Sequence, residues 1–163
     1  CYLSRDYPKE LNFGGIATYI YNTSKYLTSL GHEVHVISQS DIKTRDYKDD
    51  KIFVHAIKPN YFWRENYIFS KILHLNLLDR IIPRLLHAWF FNIPMYRKFN
   101  QLNSKYKFDI VEAEDGAGIA LLLTFNKKIN LITKFHTPWA LTDMLNGSYK
   151  NDFDCAMNKL IER

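Results

Sequence analysis

The sequence predicts an α/β fold: a parallel sheet with helices on both faces. Three observations carry this. Residues 4–38 read as strand, helix, strand, a βαβ unit whose crossover makes its two strands parallel. Strands and helices go on alternating through the rest of the chain. Three polar clusters then fall at predicted strand ends, along the edge where open parallel sheets bind ligands.

The first unit opens with the tail of a strand and a loop containing Gly14 and Gly15. Ile16, Ile20, Thr23, Leu27 and Leu30 follow at helical spacing and predict one buried helix face. Gly31 stands where a helix end needs a residue tolerant of positive φ. Val34-His35-Val36-Ile37, rich in β-branched residues, is the second strand. Residues 41–50 are polar and charged and read as a solvated loop. Residues 51–57 alternate as a third strand, which Pro59 ends.

Residues 61–108 suggest no strand. Ile68, Ile72 and Leu75, beside Phe69 and Leu73, predict a helix to about Ile82, and Pro83 suits the first turn of a new one. Pro94 is expected to break the run Trp89-Phe90-Phe91-Asn92-Ile93, after which Phe99, Leu102 and Tyr106 resume helical spacing. Residues 109–113 form a fourth strand, ending at Glu114-Asp115-Gly116. Residues 118–125 are apolar enough for a mostly buried helix, and residues 128–135 form a fifth strand that delivers His136 and Thr137.

The bounds are those of one domain. At 163 residues the chain can bury a core, and 47% hydrophobic with 24% charged residues is a globular balance. Cys1 and Cys155 cannot make a disulfide framework, which points to a reducing compartment. No apolar run is long enough to span a membrane, and no signal peptide opens the chain. The sequence begins at Cys1 within a strand pattern and so reads as an excerpt.

The net charge of +5 is unevenly spread. Residues 58–108 carry nine Lys or Arg against Glu65 and Asp79, leaving the remainder net acidic. A concentrated basic segment suggests an anionic partner: a membrane surface, a phosphorylated lipid or nucleic acid. The segment is also aromatic (Tyr61, Phe62, Trp63, Tyr67, Phe69, Trp89, Phe90, Phe91, Tyr96), as interfacial helices are. The plainer alternative packs these rings beneath a long crossover.

The clusters at the sheet edge are Gly14-Gly15, residues 112–115, and His136-Thr137. A helix N-terminus offers unpaired N–H groups to a diphosphate, and glycines let it approach the backbone. The pair reads equally as a simple turn, since neither the GxGxxG fingerprint nor a phosphate loop ending in Gly-Lys-Ser/Thr is present. His136 is the leading reactive group, because imidazole donates, accepts and titrates near neutral pH; the alternative is a turn cap before Pro138. Glu112 and Asp115 suit sugar hydroxyls, or with His136 a metal, although no ligand spacing supports a metal site.

Several of these stretches together resemble family-4 glycosyltransferases of the GT-B fold. They are Tyr7-Pro8, Gly14-Gly15-Ile16-Ala17-Thr18-Tyr19 and Leu30-Gly31-His32-Glu33-Val34-His35-Val36-Ile37, followed by Phe108-Asp109-Ile110-Val111-Glu112-Ala113-Glu114-Asp115. Phe135-His136-Thr137-Pro138-Trp139 with Leu145-Asn146, and the helix ending at Glu162-Arg163, complete the likeness. The resemblance implies that residues 1–163 are the N-terminal, Rossmann-like, acceptor-side half of a retaining hexosyltransferase. Its donors would be nucleotide-diphosphate sugars and its acceptors glycans or lipid-linked sugars, with no nucleic acid, metal or cofactor. By the same analogy Gly14 and Gly15 lie against the donor, His136 contacts the transferred sugar, and Asp115, Glu112 and Thr137 bind substrate.

The family's paired-glutamate donor motif and its Lys/Arg pair belong to a C-terminal domain absent from these residues, so the excerpt is expected to be inactive alone. The implied setting is cell-envelope polysaccharide synthesis in the cytoplasm, peripheral to the inner face of the membrane. Asp152-Phe153-Asp154 matches the metal-binding DxD of the other glycosyltransferase fold, but follows a polar loop and reads better as a helix cap. Two other classes remain: a non-catalytic module binding a phosphorylated ligand or membrane, and a metal-dependent hydrolase built on Glu112, Asp115 and His136.

Overall fold

A computed structural model describes residues 1–10, 14–58, 78–115, 118–136 and 145–146, with residues 78–91 as backbone alone. The strands are β1 (Tyr2–Ser4), β2 (His35–Gln39), β3 (Arg45–Asp49), β4 (Ile52–Ile57), β5 (Val111–Glu114) and β6 (Leu131–Lys134). The helices are α1 (Gly15–Ser29), α2 (Leu78–Tyr106) and α3 (Leu121–Thr124). Among the described residues the strands form one sheet in the order β3-β4-β2-β1-β5-β6. All pairings are parallel except that of β3 with β4.

β1 is central because it can be buried on both faces. Tyr2 joins Tyr7, Ile20, Val34, Val36, Ile52 and Val54 on the α1 side of the sheet. Leu3 faces the other way, into a cluster with Ile37, Ile57, Val111, Ala113 and the buried residues of α2 and α3. Such two-sided burial gives parallel strands their near-continuous apolar runs. In α2, Met95, Phe99 and Leu102 recur at helical spacing and supply this second layer. Phe99 is fully buried, which is worth about 1.5–3 kcal/mol relative to exposure.

The buried face of α1 is offset from the predicted one. Ala17, Ile20, Ser24 and Thr28 are buried, whereas Leu30 is exposed. Small side chains on the contact face let the helix lie close to the sheet, and Leu30 falls at the C-cap, beyond the packed turns. Gly31 does what its position suggests: its φ is +90°, and the His32 N–H reaches back to Leu27 O at 3.1 Å.

Three sequence expectations are corrected. Residues 41–50 contain β3, not only a loop; its register sets Asp46 opposite His55 and Asp49 opposite Ile52. The turn is closed by Asp50 at φ 56°, and ion pairs replace apolar contacts along this charged edge strand. Neither Pro83 nor Pro94 interrupts α2, which runs unbroken through both. A proline removes one backbone bond, about 3 kcal/mol, and the packing of Met95 and Phe99 just beyond Pro94 outweighs it. Residues 118–125 yield only the short α3, preceded by a 3₁₀ turn at Gly118, with Leu123 as its buried contact. Of the helix expected from Ile68 to about Ile82, residues 68–77 lie outside the described residues and residues 78–82 belong to α2.

No described helix is long and apolar enough to cross a membrane.

Candidate functional site

Gly14 caps α1 in extended conformation, and its carbonyl accepts both the Thr18 N–H and the Thr18 hydroxyl, each at 3.0 Å. Among the described residues no side chain caps this helix end and no acidic residue lies in its first turn, so none of them neutralises its partial positive charge. A Cβ at Gly14 or Gly15 would meet nothing within 4 Å among the described residues.

The loop leading to them is held on two sides. Toward β3, the Tyr7 hydroxyl donates to Asp49 Oδ2 at 3.0 Å, Lys9 Nζ pairs with Asp49 Oδ1 at 2.6 Å, and Arg45 pairs with Glu10 at 2.8 Å. Burial would raise Glu10, but the neighbouring Ser40, Arg45 and Tyr47 side chains outweigh it and hold the carboxyl below its ordinary range. Toward β5, Glu114 Oε1 accepts the Arg5 N–H at 2.7 Å and Oε2 accepts the Ser4 hydroxyl at 2.9 Å. Desolvation is the largest influence on Glu114 and pushes its carboxyl up to about 7, against the pull of those two donors.

Tyr19, one turn beyond Gly15, joins the clusters. Its hydroxyl donates to Glu112 Oε1 at 3.0 Å, and its ring meets the His136 ring edge-on at 5.7 Å. Lys134 Nζ sits 4.7 Å from the centre of the same ring. Burial, then Glu112, raises the Tyr19 phenol above its ordinary value, so it stays a donor. His136 is half-buried, and its backbone N–H points to Asp115 Oδ1 at 3.3 Å. Asp115 is 6% exposed, and among the described residues its Oδ2 has no hydrogen-bond partner. Asp6 Oδ1, on the loop after β1, is buried and unpaired in the same sense.

The N-terminus of α1 and the carboxyl ends of β5 and β6 thus meet around Tyr19, bringing His136, Glu112 and Asp115 to one edge with Gly14 and Gly15. Thr137 lies outside the described residues. Among those described, no group of three or more His, Cys, Asp or Glu is placed to hold a metal, which removes the support for Glu112, Asp115 and His136 as a ligand set.

Residues 13–163 match the model of Glycosyltransferase Family 4. The chain belongs to that family.

No curated protein matches this family 4 domain. A solved structure described as trehalose-6-phosphate from E. coli bound with UDP-2-fluoro glucose matches at 14% identity and a TM-score of 0.39. That match covers 82% of this chain and 32% of the other, so the domain spans about a third of that chain's length. Tyr19, Glu114, Lys134 and Asp6 were not singled out in the sequence. Tyr19 had a usable signal, lying four residues after Gly15 and so on the same helix face. Glu114 shares the strand face of Glu112 by alternation, but its burial depends on Ser4 and Arg5, over a hundred residues away.

Proposed function

We propose that this family 4 domain is the N-terminal, acceptor-side half of a retaining hexosyltransferase that uses a nucleotide-diphosphate sugar. The observation that carries the reading is the meeting of a helix N-terminus, neutralised by none of the described residues, with His136 and Asp115 around Tyr19. A diphosphate fits the first, through backbone N–H groups and the helix dipole. His136 would contact the transferred sugar near the departing phosphate, supporting same-face substitution without a protein nucleophile. Asp115 Oδ2 would accept an acceptor hydroxyl, since none of the described residues donates to this buried carboxylate oxygen and a sugar O–H supplies a donor. Glu112, engaged by Tyr19, and Thr137 would complete the substrate side.

The donor nucleotide would be gripped mainly by a C-terminal domain, so these residues alone would not transfer sugar. The acceptor would be a glycan or lipid-linked sugar of the cell envelope. The basic segment 58–108 favours the lipid-linked form, with the protein peripheral at the cytoplasmic face of the membrane.

The test is sugar transfer by the complete protein over a panel of nucleotide-diphosphate sugars, with the product anomer assigned by NMR. Retention is expected, and His136→Ala should lower kcat by roughly two to four orders of magnitude while leaving the fold intact. Inversion, or near-normal turnover in a folded variant, would overturn the reading.

A further inference from the structure

On the α2 side of the sheet, apart from the cleft, four side chains form a continuous hydrogen-bonded chain. Glu33 Oε1 lies 2.8 Å from His35 Nε2, His35 Nδ1 lies 3.0 Å from His55 Nε2, and His55 Nδ1 lies 2.9 Å from Asp46 Oδ1. The two imidazole planes are within 3° of parallel. Strand register makes the arrangement: Asp46 faces His55 across β3 and β4, while Ile37 faces His55 across β2 and β4, which leaves His35 one diagonal step away. Both rings are buried, whereas both carboxylates are more than half exposed.

Counting hydrogens gives the inference. Each of the three junctions needs one hydrogen between its heavy atoms. A neutral imidazole brings one N–H and an ionised carboxylate brings none. Two neutral rings therefore supply two hydrogens to three junctions, and one junction would set lone pair against lone pair. We infer that Glu33, His35, His55 and Asp46 form a buried binding site for a single proton, shared by the two imidazoles, and that the closed chain is its occupied state.

The surroundings suit one added charge and not two. The His35 ring stacks on Phe53 at 4.7 Å and is flanked by Tyr106 at 4.3 Å and Phe108 at 5.1 Å, and aromatic faces favour a cation. Glu33 and Asp46 attract the proton, while Lys98 and Lys105 of α2 oppose it. Burial is the largest influence on each ring and holds both below the ordinary imidazole value, which opposes the first proton and, beside an imidazolium, a second still more. When the proton leaves, the junction that opens is an outer one, because Glu33 and Asp46 can turn to water. Asp46 also pairs with Lys98 Nζ at 2.7 Å and neighbours Arg45, which holds Glu10. Occupancy of the site therefore acts on the strand that anchors the glycine loop.

The experiment counts protonated ring nitrogens in protein labelled with ¹⁵N-histidine, by long-range ¹H–¹⁵N correlation from pH 5 to 9. The expected result is three ring hydrogens across His35 and His55, either throughout or after uptake of one proton by the pair as a unit. Asp46→Asn supplies the third hydrogen from its own amide, so it should weaken proton binding by roughly tenfold or more, a shift of one pH unit. Glu33→Gln should do the same from the other end. Rings that each take a proton independently, a closed chain with only two ring hydrogens, or wild-type titration in both variants would overturn the proposal.

Discussion

Glu114 is the residue whose surroundings most restrict its chemistry. It is 5% exposed, accepts hydrogen bonds from Ser4 and Arg5, and has its carboxyl pushed up to about 7 by burial. Against an ordinary value near 4.5, the folded state binds this proton more tightly than the unfolded state. Stability therefore falls as pH rises from about 4.5 through 7, by roughly 3 kcal/mol in all. Glu114→Gln mimics the protonated form, with an oxygen for the Arg5 N–H and an amide that can donate to Ser4 Oγ. Urea midpoints should show the variant more stable than wild type at pH 8, with the difference closing toward pH 5. A constant difference across that range would mean the carboxyl is not titrating as described. At this scale Gly31 was legible because a positive φ after a helix has one common solution. The burial of Glu114 was not, because it rests on partners distant in sequence.

Elements were legible where apolar period decides them and illegible where partners do. β2 and β4 declare themselves through β-branched alternation, whereas β3 reads as solvent-facing charge. Its strand state comes from pairing with β4 and from Arg45 and Asp49 answering Glu10, Tyr7 and Lys9. The continuity of α2 was hidden by its two prolines for the same reason: packing on the sheet decides it, not propensity. The described part of the basic segment divides between roles. Lys98 pairs with Asp46, whereas Arg97 is exposed, and Tyr96 packs against the core. If the segment docks on lipid, each Lys or Arg near an anionic bilayer adds about 1 kcal/mol, screened over roughly 8 Å at physiological salt. Co-sedimentation should favour anionic over neutral liposomes at low salt and weaken at high salt. Equal, negligible pelleting with both would leave the segment as a packed crossover and favour a soluble acceptor.

For the whole molecule, a parallel sheet with ligand groups along one edge followed from alternating elements, and the described strands have that arrangement with one antiparallel edge added. The proposed division of labour gives a quantitative expectation. With the donor gripped mainly by a C-terminal domain, this domain should bind free nucleotide with Kd of about 1 mM or weaker, near −4 kcal/mol, by calorimetry. Micromolar binding of a nucleotide sugar would place the donor grip in this half instead.

The central position of β1 also has a bearing on how the chain is made. The contacts of the loop after it toward β3 span 35 residues from Glu10 to Arg45 and 42 from Tyr7 to Asp49, whereas Glu114 reaches Ser4 across 110. Closing the longer loop costs only about 1 kcal/mol more, so entropy scarcely orders these events. Translation does. At roughly 5–20 residues per second, β5 leaves the ribosome several seconds after β3. During that interval β1 can pair with β2 while its other edge stays bare, a template for unwanted strand addition. The glycine loop is then tethered on one side only. The cleft closes only once β5 and β6 have followed.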